Sequence, residues 1–203
     1  MSGQHHLEPE SYAAIRTKAI ESLLIEKGLF TGDAIDAKVQ AFENDIGPLN
    51  GAKVVARAWI DSGYRERLLT NGREAISEMG FADTQGAELV VLENTSEVHH
   101  VVVCTLCSCY PWSVLGLPPT WYKSHAYRSR VVIEPRKVLK EFGLELDDSV
   151  EVRVWDSNSD IRYMVLPERP DGTERMSEEK LVEFVSRDCM LGVAKAKTPT
   201  QVG

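Results

Sequence analysis

The sequence predicts an α+β protein, because helical spacing runs through roughly its first eighty residues and short β-branched runs begin only after them. Two further observations frame that reading. The 203-residue chain is 43% hydrophobic, enough for one substantial core with a smaller segment beside it. Three of its four cysteines, Cys104, Cys107 and Cys109, crowd into one short stretch, while Cys189 stands alone far downstream.

Tyr12, Ile15, Ala19 and Leu23 fall at helical spacing, with Pro9 and Ser11 at the start and Gly28 as the stop. A second helix is expected from a cap at Thr31 or Asp33, along the stripe Ile35, Val39, Phe42 and Ile46, to an end at Gly47-Pro48. These two read as an arm rather than as core. From Ala52 to Gly80 the helical pattern continues in short pieces, with Asp61 capping the run Tyr64, Leu68, Leu69 and with Gly72 and Gly80 as breakers.

Leu89 to Leu92 and Val98 to Val103 read as buried strands, the second leading directly into Cys104. Tyr110 to Lys123, rich in proline and carrying Trp112 and Trp121, is expected to be a rigid aromatic loop with little regular structure. Pro135 to Phe142 has proline in a first helical turn and Gly143 beyond its end. A hairpin is expected next, with Val150 to Trp155 and Ile161 to Leu166 joined through residues 157–160. Ser177 caps a last helix carrying Leu181, Phe184 and Val185, and the tail beyond Val193 is expected to be loosely held. No internal repeat or low-complexity tract is present.

Charge and hydropathy exclude several function classes. With 23 basic and 31 acidic residues the formal net charge is -8, which repels nucleic acid and anionic lipid. No stretch approaches the roughly 20 apolar residues of a membrane span, and Met1 to Pro9 has no apolar signal core, so a cytoplasmic protein is expected.

The cysteine segment Cys104-Thr105-Leu106-Cys107-Ser108-Cys109 places three thiols in one tight loop. A structural zinc site draws four ligands from two separated pairs, and here the second pair is missing. In Cys107-Ser108-Cys109 the main-chain nitrogens of Ser108 and Cys109 can join the two sulfurs in a square plane, with Cys104 axial. Nitrogen ligation of this kind requires a strong, trivalent Lewis acid such as cobalt or iron, and one position stays open. Such a site activates water or polarises a substrate, so hydration or hydrolysis is the natural chemistry.

The stretch Val103-Cys104-Thr105-Leu106-Cys107-Ser108-Cys109-Tyr110-Pro111-Trp112 resembles the metal-binding motif of nitrile hydratase α subunits. The likeness extends through His99-His100-Val101-Val102, Leu115-Gly116-Leu117-Pro118-Pro119, Tyr127-Arg128-Ser129-Arg130, Val154-Trp155-Asp156-Ser157 and Leu166-Pro167-Glu168-Arg169-Pro170, and so over most of the chain. It implies an extended N-terminal helical arm and a four-layered α-β-β-α globular domain. The expected division is residues 1–75, arm and partner-contacting helices, and residues 76–203, the metal-binding domain. It further implies hydration of organic nitriles to amides at a Co(III) or Fe(III) centre, with Cys107 as sulfinic and Cys109 as sulfenic acid. Thr105 and Tyr110 match the cobalt members. An obligate β subunit, contributing arginines at a shared active site, and an activator protein for metal loading are implied as partners. Gln85 matches a glutamine beside the substrate pocket. Ser113 departs from the family, whose members commonly carry proline there. The metal-binding subunit of thiocyanate hydrolase carries a very similar claw, so release of carbonyl sulfide and ammonia from thiocyanate is the alternative activity.

Each assignment has a plainer counterpart. His99 or His100 can supply a fourth ligand, or one can face the core and the other solvent, since strand neighbours alternate. Cys189 can complete an iron–sulfur cluster or simply be a small buried hydrophobe. Either histidine can also activate a nucleophilic thiol, although three thiols exceed what that needs. Trp112, expected beside the substrate, can equally be a packing residue, as can Trp121 and Tyr122. Arg128 and Arg130 are expected in salt bridges or at an interface, and Asp156 with Arg162 in bracing the hairpin.

Overall fold

The computed structural model describes residues 12–40, 47–81 and 86–202. By its internal contacts the chain divides into two compact units, Met1–Ala41 and Phe42–Gly203.

The first unit holds α1 (Tyr12–Glu26) and α2 (Gly32–Gln40). α1 stops before Gly28, and Thr31 starts the second helix by accepting from the Ala34 N–H at 3.2 Å. Tyr12, Ile15, Ile20, Leu23 and Leu29 remain more than half exposed, so their apolar surface has no cover within this unit. Pro9, Ser11, Phe42 and Ile46 lie outside the described residues.

The second unit opens with α3 (Gly47–Ile60), which corrects the expected stop at Gly47-Pro48. Proline lacks a donor and has a fixed φ, so it suits a first helical turn as well as it ends one. Ala52, Val54, Val55 and Ala58 bury α3 in the core. α4 (Ser62–Thr70) is capped as expected, Asp61 Oδ1 accepting from the Tyr64 N–H at 2.8 Å. α5 (Gly72–Glu78) begins at Gly72 rather than breaking there. Asn71 is its cap, and a Cβ at Gly72 would sit 2.5 Å from the Leu89 carbonyl oxygen, so glycine is what lets the helix lie against the next strand.

β1 (Glu88–Glu93) and β2 (Val98–Val103) follow. The proline-rich stretch is not irregular, because it folds into α6 (Trp112–Leu115) and α7 (Thr120–Lys123), with Pro111 and Pro119 at their N-caps. Proline supplied helix starts where loop had been expected. α8 (His125–Arg130) and α9 (Pro135–Glu141) lead to β3 (Glu151–Asp156) and β4 (Ile161–Leu166).

β3 and β4 form where expected, but they are not a hairpin. β3 pairs in parallel with β2, Val103 opposite Asp156, and β4 pairs in parallel with β1, Glu93 opposite Leu166. The reason is the connection. Asn158 Oδ1 accepts from the N–H groups of Asp160 and Ile161 at 2.9 and 3.0 Å, a local turn that carries the chain out of one sheet into the other. α4 and α5 pack on β1, the two sheets meet through β2 against β1 and β4, and α9 packs on β3. The layers are therefore α-β-β-α.

α10 (Glu178–Leu181) is capped by Ser177 and runs into a 3₁₀ turn at Val182–Phe184. The segment after it is more ordered than expected, with α11 (Arg187–Met190), α12 (Pro199–Val202) and a hydrogen bond from the Lys197 N–H to the Phe184 carbonyl at 2.8 Å. The division expected after residue 75 follows role, whereas contacts divide the chain after Ala41, since α3 to α5 pack on the core.

Candidate metal centre

β2 delivers Cys104 at the buried end of a loop that then turns outward. Cys104 is fully buried, Cys109 half-buried and Cys107 exposed. Their sulfurs lie within 4.8 Å of one another, with Cys107 Sγ 3.6 Å from Cys104 Sγ and 3.2 Å from Cys109 Sγ. The Cys107 N–H points at Cys104 Sγ, 3.3 Å away.

Hydrogen bonding from Cys109, and from the main-chain N–H groups of Ser108 and Cys109, lowers the Cys107 thiol to about 7. Burial and the shared Cys107 contact push the Cys109 thiol up to about 12. The same arrangement turns the Ser108 and Cys109 nitrogens toward the sulfurs, so the donor set fits a metal held by three sulfurs and two main-chain nitrogens.

Three groups hold the loop. Asp156, opposite Val103 at the end of β3, accepts from Thr105 N–H at 2.9 Å and from Thr105 Oγ1 at 2.5 Å. Arg128 donates to the carbonyls of Leu106 and Cys107 at 3.2 and 3.0 Å. Tyr122 OH donates to the Cys109 carbonyl at 2.9 Å.

Asp156 therefore serves the claw, and Arg162 does not brace a hairpin with it. Arg162 Nε and Nη1 are buried without a hydrogen-bond partner among the described residues, and the Arg162 charge acts on Cys109. Arg130 is the salt-bridged one of its pair, held by Glu134 and Glu141. Sequence spacing offered no signal for the roles of Asp156, Arg128 and Tyr122, because each acts from a distant part of the chain.

The competing ligand schemes do not assemble. His99 and His100 alternate across β2 as expected, but both are buried, because β3 covers one side and the Leu191–Val193 segment the other. His99 binds Asn94 and Gly192, and His100 Nδ1 accepts from Trp155. Neither reaches the sulfurs. Cys189 is a buried packing residue whose thiol donates to the Ser186 carbonyl at 3.0 Å. Trp121 and Tyr122 join Tyr127 and Phe142 in an aromatic cluster, Trp121 lying 4.9 and 4.8 Å from the last two rings. Trp112 is half-buried against the core, and Gln85 lies outside the described residues.

Fold and claw define a class: metal-binding α+β chains whose ligands come from one loop at the end of an interior strand. The chain belongs to the nitrile hydratase α-chain family, whose model matches residues 11–194. It is 56% identical over 198 residues to the α subunit of the high-molecular weight cobalt-containing nitrile hydratase of Rhodococcus rhodochrous, covering 97% of this chain and 98% of the relative. To the thiocyanate hydrolase γ subunit of Thiobacillus thioparus it is 42% identical, covering 94% and 83%. Among solved structures, a double mutant of an Fe-type nitrile hydratase from Comamonas testosteroni Ni1 superposes with a TM-score of 0.87 at 43% identity, covering 94% of each chain. No helix among the described residues is long and apolar enough to cross a membrane.

Proposed function

We propose that this chain is the metal-binding α subunit of a nitrile hydratase, hydrating organic nitriles to amides at a Co(III) centre. One observation carries the reading: three sulfurs within 4.8 Å in a single loop, with main-chain nitrogens rather than a fourth side chain to complete the set. Cys104, Cys107 and Cys109 hold the ion together with the Ser108 and Cys109 nitrogens. Thr105, Tyr110 and the 56% identity to a cobalt-containing relative favour cobalt over iron.

Bound there, the ion supplies Lewis acidity that activates water or polarises a nitrile. The chain's own residues do the rest. Cys107 and Cys109, the two accessible sulfurs, are carried as sulfinic and sulfenic acid, while burial protects Cys104. The Cys109 sulfenate oxygen would take the proton from the attacking water, or would attack the nitrile carbon itself, after which a water attacks sulfur, the S–O bond to the product breaks and the sulfenate is restored. Either route adds the elements of one water to the carbon–nitrogen triple bond. Trp112 walls the substrate pocket, to which the family resemblance also assigns Gln85.

At the claw Leu106 is 84% exposed. A reactive centre on such a face requires a second surface to exclude water, which the β subunit provides. The uncovered helices of residues 12–40 offer it further contact, in keeping with residues 1–75 as the partner-contacting part. An activator protein loads the metal, and the complex works in the cytoplasm. The chain's 42% identity to a thiocyanate hydrolase subunit gives the second reading, thiocyanate hydrolysis.

The test is direct. The αβ complex is expected to convert an aliphatic nitrile to amide with no free acid, to leave thiocyanate unchanged, and to lose turnover in Cys109→Ser. Metal analysis is expected to give about one cobalt per chain, and intact mass three added oxygens on the claw peptide. Acid as first product, carbonyl sulfide from thiocyanate, or stoichiometric zinc would each replace this reading.

A further inference from the structure

Arg128 is hydrogen-bonded to the claw's main chain, to the carbonyls of Leu106 and Cys107. Its position is fixed by its neighbour. Ser124 caps α8 by accepting from the Tyr127 N–H at 3.1 Å, and Tyr127 OH donates to the Val102 carbonyl at 2.7 Å, tying α8 to the strand that carries Cys104. From that anchor one guanidinium nitrogen, Arg128 Nη1, donates to two successive carbonyls, Leu106 and Cys107.

A peptide unit is planar and trans, so a carbonyl held on one edge sends the next residue's N–H out of the other. In the Leu106–Cys107 unit both edges are visible: the oxygen is on Arg128 and the Cys107 N–H is on Cys104 Sγ. In the Cys107–Ser108 unit the oxygen is again on Arg128, so the Ser108 N–H leaves by the opposite edge of that plane. Arg128 carries no ion pair among the described residues, and its Nε is buried without a partner there. Arg130, two residues further along α8, is taken up by Glu134 and Glu141.

We propose that Arg128 is a positioning residue for the metal centre, clamping two successive peptide planes so that the Ser108 main-chain nitrogen faces into the claw. Its fixed positive charge also lies on the outer edge of a loop that a set of thiolate ligands makes anionic. Lysine is an imperfect substitute, since its ammonium can also donate to both carbonyls but sits on a flexible stem with no planar group to fix its donors in place. The inference rests on the metal-site reading above.

The experiment compares wild type, Arg128→Met, Arg128→Lys and Arg130→Met, each assembled with the partner subunit. Three quantities are read: cobalt per chain, the rate of cobalt loss to a chelator, and the sulfur-to-metal absorption band. Arg128→Met is expected to lose cobalt about tenfold faster or more, the usual size of an outer-ligand effect, with a displaced band. Arg128→Lys falls between it and wild type, and Arg130→Met matches wild type. Wild-type loss rate and band in Arg128→Met overturn the proposal. If Arg128→Met does not assemble, Arg128→Lys decides, with accelerated loss supporting the clamp and wild-type behaviour overturning it. A wild-type complex with no metal on the claw sinks the site reading and the clamp together, whereas metal-loaded wild type with indifferent Arg128 variants sinks the clamp alone.

Discussion

The two ends of β2 are held in opposite ways. At its root, His99 and His100 are 3% and 7% exposed, and their partners accept only neutral rings. His99 Nε2–H donates to the Gly192 carbonyl at 2.8 Å, which leaves Nδ1 to accept from Asn94 Nδ2 at 3.1 Å. Asn94 cannot turn its amide round, because its Oδ1 already accepts from the His100 N–H at 2.7 Å. His100 Nδ1 accepts from the Trp155 indole, a group that only donates. At its tip the strand passes into a loop held by charged groups at the surface, Asp156 and Arg128. Burial and fixed tautomers lock the root, while the tip stays accessible to an ion and a partner. The difference separates residues that hold the fold from residues that shape the claw.

The largest effect is expected at the root. Gly192 has φ +79°, and a Cβ there would overlap the His100 carbonyl oxygen, which cannot yield between β3 and the Leu191–Val193 segment. Gly192→Ala should destabilise by more than about 4 kcal/mol in denaturant unfolding. A loss below about 1 kcal/mol would mean the root is not locked.

The second effect is a pH dependence. Burial, with Lys195 opposing protonation and Glu168 favouring it, lowers the His99 pKa below 6.5. Burial, with Arg153 and His99 opposing and Glu151 favouring, lowers that of His100. A histidine depressed in the fold binds its proton more readily when unfolded. Stability is therefore complete above pH 6.5 and falls as pH drops through 6.5 toward the folded values. Two such groups give a slope of up to about 2.7 kcal/mol per pH unit in that window. The salt-bridged carboxylates, such as Glu78 and Glu134, have pKa values lowered below 4.5 and respond only in stronger acid. Unfolding midpoints that stay flat from pH 7 to 5 would show that the histidines are not held neutral.

What was legible in the sequence follows the same division. The three sulfurs were readable because they lie within one loop, and Asp61 and Ser177 were readable as caps because a cap acts on its own next turn. Strand positions are readable from alternation, but alternation names a strand and not its neighbour, so the sequence alone suggests a hairpin where β3 and β4 pair with other strands. Gly47-Pro48 was ambiguous for a local reason, since the pair suits a helix start as well as a stop. Arg128 is 22 residues from Leu106 and Asp156 is 51 from Thr105, the first distance closed by the Tyr127 tie of α8 to β2 and the second by the parallel pairing of β2 with β3. Burial of both histidines likewise depends on the Leu191–Val193 segment, far along the chain.

At the tip, effects on stability should be small and effects on metal large. Asp156→Ala removes both acceptors of Thr105 at an exposed position, so unfolding is expected to change by no more than about 1 kcal/mol. Cobalt retention is expected to fall about tenfold, because the first turn of the claw loses its anchor. Loss of stability without loss of metal would place Asp156 with the root rather than the tip.

Leu106→Ala is the smallest change and the sharpest test of that boundary. The side chain is 84% exposed, while the main chain beneath it is held by its carbonyl on Arg128 and by its neighbours Thr105 and Cys107. Truncation leaves all of those bonds in place. Unfolding should therefore shift by less than about 0.5 kcal/mol, and cobalt loss to a chelator should keep its wild-type rate. What should weaken is assembly with the partner subunit, measured as dissociation on dilution, because the leucine has nothing else to cover. If metal retention fell with assembly intact, the claw's shape would depend on its exposed side chain, and the division between a wired main chain and a free surface would fail.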